Sequence, residues 1–227
     1  MTYCFLAPDD RSRMHATFTR AFADYYVDAQ LSADDFAEHL RQNAVRFELS
    51  VGAFEGDRMV ALLLHGIDEW EGRLTAYDAG TGVIPGHQGK GTAGAMFEFA
   101  LPGLREAGVE RCLLKVIDQN EAAIMAYRRL GFEPTRDFLC FRRNAADVVA
   151  ATEAQIADVA HPDWNRWRRR WDWHPSWQNS IGSIRRGGRC TRFLEARCCG
   201  QCAIRPTRIG RCRSSTSMPL RSRRSRS

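Results

Sequence analysis

The stretch Val83–Gly94, VIPGHQGKGTAG, places four glycines, a lysine and a proline between an apolar strand-like run and a helix-like run. Glycine tolerates left-handed backbone and offers no side chain to block approach, so backbone N–H groups ahead of a helix can reach a bound anion there. Two spellings compete. Gly89-Lys-Gly-Thr-Ala-Gly94 reads as G-x-G-x-x-G, the dinucleotide fingerprint, while Gln88-Gly-Lys-Gly-Thr-Ala93 reads as Q-x-x-G-x-A. An ATP-type loop fails at once, because Gly91 stands where Ser or Thr should hold magnesium and no glycine lies five places before Gly89.

The flanking pattern decides between the two. Tyr3 to Leu6 reads as a strand and is followed by two helical stretches; the second has a capping-box-like start at Ser32-Ala-Asp-Asp35 and an apolar stripe of Phe36, Leu40 and Val45. Strands then run over Phe47 to Phe54, Met59 to Ile67 and Leu74 to Ile84, with Glu55-Gly56-Asp57 marking a hairpin. After the glycines, Ala93, Met96, Phe97, Ala100, Leu101 and Leu104 keep to one helix face, with Pro102 kinking the last turn and Gly108 ending it. Arg111 to Ile117 reads as a buried strand, Asn120 to Leu130 as a helix closed by Gly131, and Phe132 to Arg142 as a last strand. This is an α/β (α+β) chain with a mixed, mostly antiparallel sheet of about six strands flanked by helices. A dinucleotide domain needs its first glycine at the end of its first strand and several further strand-helix alternations; Asp118 supplies an acidic residue, but the remaining alternations are missing.

The combination of V-x-P-x-x-Q-G-x-G-x-A at Val83–Ala93 with N-x-x-A-x-x-x-Y-x-x-x-G-F at Asn120–Phe132 resembles the GNAT superfamily of acyl-CoA-dependent N-acyltransferases. The resemblance spans roughly Tyr3 to Arg143. It implies acetyl-CoA as cosubstrate and a primary amine of a small molecule or peptide as acceptor. Gln88, Gly89, Lys90, Gly91, Thr92 and Ala93 would then hold the pyrophosphate, Val83 would contact the pantetheine arm through its backbone, and Asn120 would hydrogen-bond that arm. Tyr127 would protonate the leaving thiolate. Read by the residues alone, Asn120 is equally an N-cap, Tyr127 a core tyrosine and Lys90 a solvated loop lysine.

An ordinary lysine with pKa about 10.4 is neutral in fewer than about one molecule in a thousand near pH 7, so a base would help the amine. Asp78 in LTAYDAGTG is the candidate; Asp68, Glu69 and Glu71 in the preceding hairpin are read as solvated turn carboxylates. A ternary complex needs no covalent enzyme intermediate, which leaves Cys112 and Cys140 as core residues, and Cys4 is read as a third buried thiol. A non-catalytic acyl-CoA-binding or partner-binding domain is the alternative function.

Charge divides the chain in two. Up to Ile184 there are 20 basic and 26 acidic residues; from Arg185 onwards there are 13 arginines against Glu195 alone. Residues 1–145 are expected to form the GNAT-like domain, and 146–184, rich in Trp and Arg, a helical linker or the start of an incomplete second domain. Residues 185–227 form a tail with too few apolar residues to offset ordering entropy. The abrupt Arg, Ser and Cys bias of this tail favours a frameshifted or truncated second domain over a nucleic-acid arm. One C-x-x-C among Cys190, Cys199, Cys202 and Cys212 does not make a zinc site, and no metal is expected. With no signal-like leader and no apolar run of eighteen residues, a cytoplasmic protein that does not enter membranes is expected; a homodimer stays open.

Overall fold

Met59–Leu64, VALLL preceded by methionine, is buried at every position, as a strand covered on both faces must be. It lies in β3 (Arg58–Trp70), the centre of the sheet. The computed structural model describes residues 1–27, 29–70, 72–142 and 207–219. β1 (Thr2–Phe5), β2 (Val51–Glu55), β3 and β4 (Arg73–Val83) form an antiparallel run, and β5 (Arg111–Leu113) joins β4 in parallel. That order, with one parallel pair after an antiparallel meander, excludes the dinucleotide alternative.

One face of the sheet is covered by α1 (Arg11–Ala21) and α2 (Ala33–Gln42), which bury Met14, Phe18, Phe36 and Leu40 against Leu62 and Leu64. Ser32 caps α2 as its sequence suggests, its hydroxyl accepting from the Asp35 N–H at 3.1 Å. The other face is covered by α3 (Thr92–Glu106), whose Met96, Phe97, Ala100 and Leu104 pack on Val51, Ala61 and Leu63. α4 (Glu121–Arg129) lies on the same face and contributes only half-buried side chains, Ala123, Ile124 and Tyr127 among them. Gly108 and Gly131, both with positive φ, follow α3 and α4 as expected.

Several expectations shift. α2 stops at Gln42, and Val45 leaves its stripe to bridge Gly66, because Ala44 turns the chain at φ 53°. Phe47–Leu49 is a 3-10 turn rather than strand, and the Arg111–Ile117 strand is broken at Leu114 into β5 and β6 (Lys115–Ile117). Cys4 is exposed, since β1 is an edge strand whose alternate residues face outwards; Cys112 is buried. β7 (Glu133–Arg142) is present, and within the tail expected to lack order, Thr207–Pro219 forms β8, antiparallel to β5, β6 and β7, so the described residues form a sheet of eight strands rather than about six. The 146–184 segment, Cys190, Cys199 and Cys202 lie outside the described residues.

Candidate active site

The sequence leaves the facing of Asp78 open, and a single extra residue settles it. Across the β3–β4 ladder Leu64 pairs with Gly80 and His65 with Asp78, so Ala79 is the surplus residue of a β-bulge. A strand alternates its side chains with period two, and the bulge shifts that parity by one. Before it, Ala76 faces the α3 side of the sheet; after it, Val83 does so, while Gly80 and Gly82 face α1. Gly82 must be glycine, because a Cβ there would lie 2.8 Å from the Ala21 Cβ. Asp78 and Thr81, three apart, therefore share the α3 and α4 face.

There they meet Tyr127. Its hydroxyl donates to Asp78 Oδ2 at 2.9 Å, the Thr81 hydroxyl donates to the same oxygen at 2.6 Å, and the Gly80 N–H donates to Oδ1 at 3.0 Å. Burial pushes the Asp78 carboxyl above its ordinary value, opposed by Thr81, His65, Tyr127 and Gly80 in that order. Burial, followed by the Asp78 charge, pushes the Tyr127 phenol well above its own. Opposite Asp78, His65 is fully buried; its Nδ1 lies 2.7 Å from the Leu49 carbonyl, to which an Nδ1–H donates, while Nε2 has no hydrogen-bond partner among the described residues. Burial holds that imidazole below its ordinary value. The structure thus brings together Asp78 and Tyr127. Asp68 and Glu69 pair with Thr75 and Leu74 towards the far end of the hairpin, and Glu71 lies outside the described residues. Thr81 and His65 were missed; a histidine inside the apolar run VALLLHGI is the signal that could have found the second. Cys112 is raised by burial to about 12, which keeps its thiol protonated and in the core.

β5 pairs with β4 only at Thr75, Ala76 and Tyr77. Past the bulge, Ile84 N–H donates to the Val60 carbonyl at 3.0 Å, which makes Ala61 and Val83 a pair that exchanges no hydrogen bonds. The N–H and C=O of Val83, and by alternation those of Thr81, therefore point away from β3 towards the side that β5 does not reach.

The glycine loop closes that opening. Gly86, Gly89 and Gly91 have φ of 85°, 73° and 77°, and a Cβ on any of them would meet no atom within 4 Å. Gly91 is the N-cap of α3 and supplies no side-chain cap, so the first N–H groups of a 15-residue helix stand with their partial positive charge at an exposed loop. A polyphosphate fits this cradle. Gln88 Nε2 donates to the Val83 carbonyl at 3.0 Å and Lys90 Nζ to the Gly86 carbonyl at 2.8 Å, so both side chains brace the loop from within. Thr92 is buried with its hydroxyl 3.8 Å from the Met1 sulfur, and Ala93 is half-buried. Asn120 caps α4, its Oδ1 accepting from the Ala123 N–H at 3.2 Å.

An anion cradle at a helix start, beside a parallel strand pair that separates, with a paired acid and phenol at the opening, defines a protein built for group transfer from a phosphate-bearing carrier. The chain belongs to the acetyltransferase (GNAT) family, whose model matches residues 12–132, inside the 1–145 unit expected from sequence. Streptothricin acetyltransferase of Streptomyces lavendulae is 43% identical over 63 residues, 28% of this chain and 32% of that protein. Mycothiol acetyltransferase of Beutenbergia cavernae is 34% identical over 133 residues, 52% of this chain and 44% of that protein. The matched stretches thus span less than half of either relative. Among solved structures, the ribosomal-protein-S18-alanine N-acetyltransferase of Escherichia coli superposes with a TM-score of 0.51 at 21% identity over 64% of this chain and 85% of its own. The yncA protein of Salmonella typhimurium, solved with acetyl-CoA, gives 0.50 at 21% identity over 61% and 83%. At that identity the two structures share the fold. Among the described residues no helix is long and apolar enough to cross a membrane.

Proposed function

We propose that the chain transfers an acetyl group from acetyl-CoA to a primary amine of a small molecule or peptide, by direct attack within a ternary complex. The observation that carries this reading is the 2.9 Å hydrogen bond between Tyr127 and Asp78 at the end of a strand pair that opens. The pyrophosphate would lie on the N–H groups at Gly89–Ala93, with Lys90 adding positive charge nearby. The pantetheine amides would pair with the outward backbone groups of Thr81 and Val83, and the Asn120 side-chain N–H would meet a pantetheine carbonyl. Gln88 supports the cradle by holding the Val83 carbonyl.

The pairing of acid and base gives a closed proton cycle. The neutral amine attacks the thioester carbonyl; a C–N bond forms and the C–S bond breaks. Nitrogen loses one proton to the Asp78 carboxylate, and the departing sulfur takes one from Tyr127. Asp78 then passes its proton to the Tyr127 oxygen, which leaves the pair as it began, with an amide and a free thiol as products. A phenol with a raised pKa stays protonated until the sulfur leaves, and a buried carboxyl with a raised pKa releases its proton less reluctantly to Tyr127 than to water.

The test is thiol release from acetyl-CoA across an amine library. The names of the two curated relatives put small molecules first, and streptothricin belongs in the screen. Release that depends on an amine, together with amide formation by mass spectrometry, supports the reading. Calorimetric binding of acetyl-CoA with no turnover on any amine would instead favour a non-catalytic carrier-binding domain.

A further inference from the structure

Everything at the site depends on Ala79 remaining outside the ladder. If it slipped into register with β3, either Asp78 or Thr81 would turn to the opposite face, away from Tyr127. The two strands are not equally able to resist this. On its far side β3 is tied by the segment after α2: Arg46 N–H donates to the His65 carbonyl at 2.9 Å and Ile67 N–H to the Ala44 carbonyl at 3.1 Å. Past Tyr77, where β5 leaves it, β4 is held on that side by the Gln88 side chain at Val83, four residues beyond the bulge, and by no backbone hydrogen bond among the described residues.

A bulge also diverts a backbone group from the ladder, and a diverted carbonyl in a packed face needs a donor. Here the donor comes from the other side of the sheet. His39 of α2 has its Nε2 at 2.8 Å from the Ala79 carbonyl. The Asn43 side-chain amide donates to the His39 carbonyl at 2.9 Å and to its Nδ1 at 3.3 Å, so Nδ1 is the acceptor nitrogen and Nε2 carries the hydrogen. The ring lies nearly parallel to Phe36, at 18° between planes and 6.4 Å between centroids, and tilted against Phe18 at 5.9 Å. Tautomer, position and orientation are all fixed.

We infer that His39 is a positioning residue, a latch on the Ala79 carbonyl that keeps Asp78 and Thr81 on one face beneath Tyr127. It touches neither substrate nor reacting atoms and acts through the backbone of β4. α2, on the face away from Tyr127, thereby controls the geometry of the proton-transfer pair. The kinetic part of the test rests on the acetyl-transfer reading; the exchange part does not.

Two variants of the full chain, His39→Leu and His39→Gln, separate a latch from simple packing, because glutamine can offer an N–H to the same carbonyl and leucine cannot. The first readout is hydrogen exchange at the Gly80 amide, which donates to Asp78. His39→Leu is expected to speed exchange there at least tenfold while β2 amides keep their protection, and His39→Gln to stay within threefold of the parent. The second readout is turnover: kcat falls at least tenfold in His39→Leu with the KM for acetyl-CoA changed less than twofold, and His39→Gln recovers most of the loss. Unchanged Gly80 exchange in His39→Leu, or a glutamine variant that behaves like the leucine one, overturns the proposal. Should His39→Leu unfold outright, the glutamine variant decides: protection like the parent supports the latch, and fast exchange overturns it. A chain with no acetyl transfer whose exchange follows the expected pattern would remove the enzymatic reading and leave the latch standing.

Discussion

The two halves of β4 are built from the same strand and put to different ends. Arg73–Tyr77 is flanked by β3 on one side and β5 on the other, with Thr75, Ala76 and Tyr77 buried. Asp78–Val83, beyond the bulge, keeps β3 but has lost β5, and its polar backbone is turned outwards. The first half satisfies its hydrogen bonds within the protein and holds the sheet together. The second leaves the outward groups of Thr81 and the Val83 N–H for something else to satisfy, and only there do Asp78, Thr81 and Tyr127 meet.

If that division holds, changes beyond the bulge should damage turnover and changes in the closed sheet should damage stability. The largest expected effect is Asp78→Asn, which keeps the shape but cannot take the amine proton: kcat should drop about 10²–10³-fold, with acetyl-CoA affinity by calorimetry nearly unchanged. A comparable loss of binding would show Asp78 to be structural instead. Leu104→Ala, fully buried at the end of α3 far from the glycine loop, should cost about 3 kcal/mol in denaturant melts, while kcat per folded molecule stays at the parent value. Tyr127→Phe removes the phenolic proton alone and should slow the chemical step about 10–100-fold with little change in acetyl-CoA affinity; equal activity at every pH would remove Tyr127 from the acid role.

Smaller effects sharpen the contrast. His65 and His39 are both held below the ordinary imidazole value by burial. As pH falls below about 6.5 the unfolded chain binds protons that the folded one resists, so folding stability present above that pH is lost with a slope of up to about 1.4 kcal/mol per pH unit for each imidazole. Urea melts between pH 7 and pH 5 would measure the slope, and His39→Gln should flatten it in part. Gly91→Ala forces a side chain into left-handed backbone at φ 77° and should cost about 1 kcal/mol, with a higher KM for acetyl-CoA and an unaltered kcat.

What could be read from the sequence was whatever is written locally. The α3 stripe from Met96 to Leu104 and the Asn120–Gly131 helix each carry their own periodicity or cap, and each forms as read, while Gly86, Gly89 and Gly91 take the left-handed backbone that glycine permits. The Asp78 register was not legible, because a bulge is a difference of one residue between two strands and neither strand alone records it. DAGTGV holds the hint only in hindsight: Gly82 lies too close to Ala21 to carry a side chain, and Thr81 falls three places after Asp78. The sequence allows Asn120 two roles, and its Oδ1 adopts the local one, the cap of α4. The strand at Thr207–Pro219 is arginine-rich and lacks apolar alternation, so its pairing with β5, β6 and β7 comes from backbone hydrogen bonding, to which composition is blind.

The modest seating of α4 has one further consequence. This helix brings Tyr127 to Asp78 yet offers the core no fully buried side chain, and Arg128 and Arg129 stand exposed at its end. An element so shallowly anchored is among the first to lift from the surface, and a protease specific for arginine would find its opening there. A carrier molecule bridging α3, β4 and α4 would pin it down. The lifetime of that peptide bond under trypsin would then serve as a clock for occupancy, one that runs without any acceptor amine.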